Sequence, residues 1–201
     1  MVPIEWGGRN PFFIRIILSS KIIVRKRCMK KILILNGAGK RNGNTAKLIN
    51  SFKAGAEEAG NEVKEFYLQN MNIHGCLDCQ GCARKPAGTV RACVQNDDMN
   101  EIYDYFAECD ILVFASPVYW FDITGTLKTA VDRLYAPQRN NGFDKVKKDT
   151  VLIMTAGAPV ESNPVPLMWY SIFSRLGWKD LGRILGSDKI KEARQLGLSI
   201  K

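Results

Sequence analysis

Apolar positions along the chain alternate between two periodicities, and the alternation outlines a layered α/β domain. Lys31–Asn36 is a short continuous apolar run, the pattern of a strand buried on both faces of a parallel sheet. Asn44 or Thr45 then opens a helix with Leu48, Ile49, Phe52 and Ala56 on one face, stopped at Gly60. Residues 62–68 alternate as a second strand. Asp97-Asp98 caps a helix bearing Met99, Ile102, Tyr103 and Phe106, and residues 111–115 form the third strand. A helix over 124–136, a strand over 150–155, a helix over 165–176, a strand over 181–186 and a short closing helix complete the pattern. Strand and helix alternate without repeat or linker, which predicts one doubly wound, five-stranded parallel sheet with helices on both faces.

Residues 1–28 stand apart from this pattern. Their apolar run Phe12–Leu18 is broken by Arg15, and the Arg25-Lys26-Arg27 cluster follows it instead of preceding it, which is the reverse of a secretory signal. The stretch reads as an extension upstream of a start at Met29, ahead of one domain over 29–201; an arm lying on a membrane surface is the rival reading. It also carries six of the basic residues and one acid, so the net charge of +9 falls to +4 over the remainder. That balance is unremarkable for binding an anionic cofactor and is weak evidence for a nucleic-acid partner. No apolar run reaches bilayer-spanning length, and the absence of a secretory pattern points to reducing cytoplasm, where cysteines stay free for redox or metal chemistry.

In a doubly wound sheet the ligand site lies outside the carboxyl ends of the strands, where the strand order reverses. Three loops occupy that edge. The first, Asn36-Gly37-Ala38-Gly39-Lys40-Arg41-Asn42-Gly43-Asn44-Thr45, fits neither the dinucleotide fingerprint nor the Walker pattern. Its glycines and the following helix N-terminus suit a phosphate cradle for a mononucleotide, with Lys40, Arg41, Asn44 and Thr45 as donors; a plain glycine-rich turn is the alternative. The second, Ser116-Pro117-Val118-Tyr119-Trp120-Phe121, places three aromatics in a row, suited to walling a flat conjugated ring, to a dimer contact or to packing on the core. Lys128, Asp132 and Arg133 in the next helix read equally as a solvated salt-bridge face. The third, Thr155-Ala156-Gly157-Ala158-Pro159, permits close backbone approach but is a weak signal alone.

Between residues 69 and 96 lies a connection too long for an ordinary loop. Cys76, Cys79 and Cys82 follow C-x2-C-x2-C spacing, with Cys93 further on. Such thiolates converge on one [4Fe–4S] cluster; free thiols and, less well, zinc are the other readings. Cys109 reads as a buried core residue, Cys28 falls in the extension, and His74 reads as a loop residue.

Taken together, Asn36-Gly37 through Gly43-Asn44-Thr45, the cysteine segment ending in Asp97-Asp98-Met99, and Ser116-Pro117-Val118-Tyr119-Trp120 with Lys128 and Asp132-Arg133 resemble the NADPH-dependent FMN reductase and iron–sulfur flavoprotein family. The resemblance covers nearly all of 29–201 and implies a flavodoxin-like sheet of order 2-1-3-4-5. It implies FMN, with Gly37, Ala38, Lys40, Gly43, Asn44 and Thr45 of the first loop at the phosphate and Pro117, Val118, Tyr119 and Trp120 around the ring; Ala156 and Gly157 of the third loop are the remaining cofactor-binding candidates, from their small size. NAD(P)H would be the co-substrate, and the acceptor a quinone, a flavin, a nitro- or azo-aromatic, or a redox protein. The iron–sulfur members imply a [4Fe–4S] cluster on Cys76, Cys79, Cys82 and Cys93 and an electron-carrier role. A homodimer with one subunit's loops over the other's flavin also follows from the resemblance alone. The chain departs from the family in having Ala38-Gly39-Lys40 where Ser-Pro-Arg is usual, which removes a hydroxyl donor, and in its longer gap before Cys93. No acid–base residue is assigned, and a non-enzymatic binding module is the third reading of function.

Overall fold

A computed structural model describes residues 29–156 and 165–201. Five parallel strands, β1 (Lys31–Asn36), β2 (Glu62–Tyr67), β3 (Ile111–Pro117), β4 (Asp149–Thr155) and β5 (Lys179–Leu185), form one sheet of order β2-β1-β3-β4-β5. This is the flavodoxin-like topology, with its reversal between β1 and β3.

The strands bury both faces, which is why they read as apolar runs. Ile32, Ile34, Val113 and Ile153 face helices α1 (Asn44–Glu58) and α7 (Ile190–Ser199). Those two helices cross closely: a Cβ on Gly55 would lie 2.2 Å from the Arg194 carbonyl oxygen, and one on Gly197 2.1 Å from that of Phe52. Only glycine allows this approach.

Leu33, Leu35, Leu112, Phe114 and Leu152 face the other layer. It comprises α3 (Met99–Glu108), α4 (Gly125–Arg133), α5 (Tyr135–Asn141) and α6 (Leu167–Ser171), which runs on as a π-helical stretch, Ile172–Leu176. The helix expected over 124–136 is thus two helices, and the 165–176 helix changes its winding part-way. The cysteine segment contains one short helix, α2 (Gly81–Arg84), that the sequence pattern did not reveal. Asp98 does not cap α3 with its side chain; Asp97 Oδ1 accepts the Met99 N–H at 3.2 Å, while Asp98 Oδ2 accepts that of Asn72 at 2.6 Å. Among the described residues no helix is long and apolar enough to cross a membrane. Residues 1–28, and with them the expected extension, lie outside the described residues.

Candidate functional site

At the carboxyl edge of the sheet, the loops after β1, β3 and β4 meet around a cavity of about 290 Å³. Ala38, Lys40, Gly43, Asn44, Thr45, Pro117, Val118, Tyr119 and Ala156 line it, joined by Gly39, Thr155 and Ser187. Sequence reasoning passed over Ser187, although its position just after β5 puts it on the same edge.

The first loop is shaped from within. Asn36 Oδ1 accepts the Ala38 N–H at 2.9 Å, and the Gly37 N–H bonds the Ala115 carbonyl at 2.8 Å. Neither N–H is free for a ligand. Gly37 sits behind the cavity wall: a Cβ there would fall 2.6 Å from Leu127 Cβ and 2.7 Å from Thr124 Oγ1. Thr124 in turn donates to the Gly37 carbonyl at 2.8 Å and caps α4 by accepting from Leu127 N. Gly37 is therefore a packing residue that does not itself line the cavity.

What remains open is the start of α1. Its N-cap is Gly43, no side chain caps it, and its first turn has no acid. Arg41 does not join the cavity lining, its guanidinium lying over the Tyr67 ring at 4.6 Å from the centroid. The N–H groups and positive dipole end of a fifteen-residue helix thus face a loop whose cavity-lining cation is Lys40. This is the chemistry of an anion cradle. Thr45 Oγ1 lies 2.7 Å from Thr155 Oγ1 and ties the cradle to the end of β4.

The aromatic loop divides. Pro117, Val118 and Tyr119 reach the cavity, but Trp120 does not line it and is 92% exposed. Tyr119 and Asp122 exchange backbone bonds across a tight turn in which Trp120 and Phe121 have φ of +46° and +67°. Bulky residues rarely hold that conformation, which costs on the order of 1–3 kcal/mol each. The N–H groups of Val118 and Tyr119 are also engaged, with Thr155 O and Asp122 O. Gly157 lies outside the described residues.

Some distance along α4, roughly 12 Å from Gly125 to Arg133 at the usual helical rise, a second group assembles. Cys76, Cys79, Cys82 and Cys93 line one small cavity with Asp132 and Arg133. Arg133 is buried, contrary to the solvated face expected of it, whereas Lys128 and Asp132 form the expected exposed pair at 2.5 Å. Its guanidinium donates to Asp97 Oδ2 at 2.7 Å, to the His74 carbonyl at 2.7 Å and to Cys93 Sγ at 3.4 Å. Burial would raise the Asp97 pKa. Arg133 and the backbone N–H groups of His74 and Met99 outweigh that and hold its carboxyl below the usual carboxylate range. His74 packs beside this carboxylate, its Nδ1 3.6 Å from Oδ2.

Four thiols around one space match the donor set of a cubane cluster, whose ligands each bind a different iron. The space they line is small, about 30 Å³, and Cys76 and Cys79 at its mouth are exposed while Cys82 and Cys93 are half-buried. Among the described residues no three His, Cys, Asp or Glu side chains are gathered tightly enough to hold a metal ion, so the four thiols share a space without forming a ready-made metal site. Cys109 is buried away from this group, and burial pushes its thiol up to about 11.

Residues 30–189 match the model of the NADPH-dependent FMN reductase family. The chain belongs to that family. The reductase is 30% identical over 180 residues to an iron–sulfur flavoprotein of Archaeoglobus fulgidus, covering 86% of this chain and 79% of that one. It is 33% identical over 165 residues to a provisionally named NAD(P)H-dependent FMN-containing oxidoreductase of Bacillus subtilis, covering 78% and 84%. In fold it is similar to an NAD(P)H:quinone oxidoreductase from Methanothermobacter marburgensis, with a TM-score of 0.63 at 20% identity over 85% of this chain and 96% of that one. By its family the reductase is a flavin-dependent oxidoreductase.

Proposed function

We propose that the reductase binds FMN in the cavity between the loops after β1, β3 and β4 and uses it to oxidise NAD(P)H. The observation that carries this reading is the uncapped, acid-free first turn of α1 opening onto that cavity, in a member of an FMN reductase family. Bound FMN supplies the electron-accepting and electron-donating chemistry. The start of α1 with Lys40 and Asn44 binds its phosphate, while Pro117, Val118 and Tyr119 hold the ring against the sheet edge. Ala156, with Thr155 beneath it, closes the opposite side. These groups orient and shield; none of them needs to transfer a proton.

The acceptor proposed is a small oxidant such as a quinone, a flavin or a nitro- or azo-aromatic. A homodimer in cytoplasm, with the exposed Tyr119–Phe121 turn covered by the second subunit, completes the proposal.

A second reading is favoured by one specific observation: all four motif cysteines line the same cavity, with Arg133 donating to Cys93 Sγ. In that reading Cys76, Cys79, Cys82 and Cys93 hold a [4Fe–4S] cluster, and the protein carries electrons to or from a redox partner.

An absorption spectrum of anaerobically purified protein, with iron and acid-labile sulfide assayed on the same sample, separates the two. Flavin bands without iron, with NADPH consumed once a quinone is added, are the expected result for the first reading. Flavin bands over an iron–sulfur shoulder, with about four irons per chain, transfer the conclusion to the second. Protein that stays colourless after incubation with FMN defeats both.

A further inference from the structure

Tyr119 belongs to the loop after β3, yet its side chain ends on the loop after β1. A Cβ on Gly39 would lie 3.1 Å from Tyr119 Oη and 4.0 Å from Cζ, so the hydroxyl end of the ring leans on that glycine. Gly39 is not among the glycines with positive φ, so its backbone conformation does not demand glycine. The approach of the hydroxyl does, because a longer side chain at 39 would push it away. Of the three consecutive aromatics Tyr119 alone lines the cavity, together with Gly39, Ala38, Lys40, Gly43 and Asn44 at the opening of α1.

The root of this side chain is fixed. The Tyr119 N–H bonds the Asp122 carbonyl at 2.9 Å, and the Val118 N–H before it bonds that of Thr155 at 2.7 Å. The phenol oxygen, by contrast, has no hydrogen-bond partner among the described residues. Phenylalanine would pack on Gly39 equally well, so packing does not account for the hydroxyl. Tyr119 is exposed, which leaves that hydroxyl open to a ligand in the cavity. A phenol both donates and accepts, and its surroundings here are a lysine and a helix N-terminus, which draw an anion to the donor.

We propose that the Tyr119 hydroxyl donates a hydrogen bond to the phosphate of FMN, joining Lys40 and Asn44 there and helping to select FMN over unphosphorylated flavin. The proposal rests on the reading that FMN occupies this cavity and adds to it a phosphate contact reached from the loop after β3. A hydrogen bond to an ionised oxygen is among the stronger kinds, and a donor already held in place loses little freedom when the ligand arrives.

The test is Tyr119→Phe, prepared free of flavin and titrated with FMN and with riboflavin beside the parent. FMN affinity is expected to fall about tenfold or more, the effect of losing a hydrogen bond to a charged group, while riboflavin affinity stays at the parent's value. The thermal midpoint of the flavin-free variant should equal the parent's, because the hydroxyl has no protein partner to lose. Unchanged FMN affinity, an equal loss for both ligands, or a lowered midpoint in the flavin-free variant overturns the proposal. A parent that takes up no FMN, or holds FMN no better than riboflavin, defeats the reading of the cavity and this proposal with it, so the two failures are told apart by the parent alone.

Discussion

Arg133 and Asp97 pair at 2.7 Å with each side chain only 1% exposed, joining the last turn of α4 to the end of the cysteine segment. The same guanidinium holds the His74 carbonyl and the Cys93 sulfur, so one side chain fastens three points of a segment that has little regular structure of its own. Removing one partner of such a pair leaves a buried charge behind. Arg133→Met is expected to cost about 3–5 kcal/mol, read as a lowered urea midpoint, and Arg133→Lys to recover only part of it, because the ammonium cannot fork across both Asp97 oxygens.

The pair also sets an acid limit. Asp97 has its pKa lowered on folding, so the stability it contributes is complete above the unfolded carboxyl value of about 4. It is lost as pH falls through the lower folded value. Unfolding free energies measured from pH 7 downward should therefore drop more steeply below about pH 4 in the parent than in Asp97→Asn, whose stability is lower at pH 7 but flatter. Parallel curves would contradict the assignment.

Arg133 shows where the sequence is legible and where it is not. It follows Leu127 and Ala130 at three-residue intervals, on the buried stripe of α4, and that spacing was available to read. Its charge and its neighbours Lys128 and Asp132 suggested solvent instead. The three central strands were legible because residues 31–36, 111–115 and 150–155 are largely apolar runs, the pattern of strands buried on both faces, whereas the strand order came from the family resemblance and not from the pattern. The exposure of Trp120 was not legible, because periodicity says nothing about a turn that Tyr119 and Asp122 close on themselves. Gln138, polar in a helix, gave no sign that Pro137 and Leu134 would carry it under the surface.

Gly37 offers a test of packing against binding. A methyl group there meets Leu127 and Thr124 well inside contact distance, so Gly37→Ala forces α4 away from the loop. The expected loss is about 1–3 kcal/mol of stability in FMN-free protein, seen by thermal unfolding. A variant that unfolds with the parent but binds FMN poorly would place Gly37 at the phosphate site.

The cysteines should separate by reactivity. Cys76 and Cys79 are exposed, whereas Cys109 is buried and its thiol stays protonated at pH values below about 11. Brief iodoacetamide treatment of metal-free protein at pH 8, followed by peptide mass analysis, is expected to modify Cys76 and Cys79 first and to leave Cys109 unmodified until the protein is denatured.

The central claim is that the opening of α1 and its loop hold the phosphate of a flavin mononucleotide. Titration of flavin-free protein with FMN and, separately, with riboflavin tests it most directly, because the two ligands differ only in that phosphate. One FMN per chain is predicted, bound at least tenfold more tightly than riboflavin, with the difference shrinking in Lys40→Glu. Equal affinity for the two, or uptake of neither, would contradict the account.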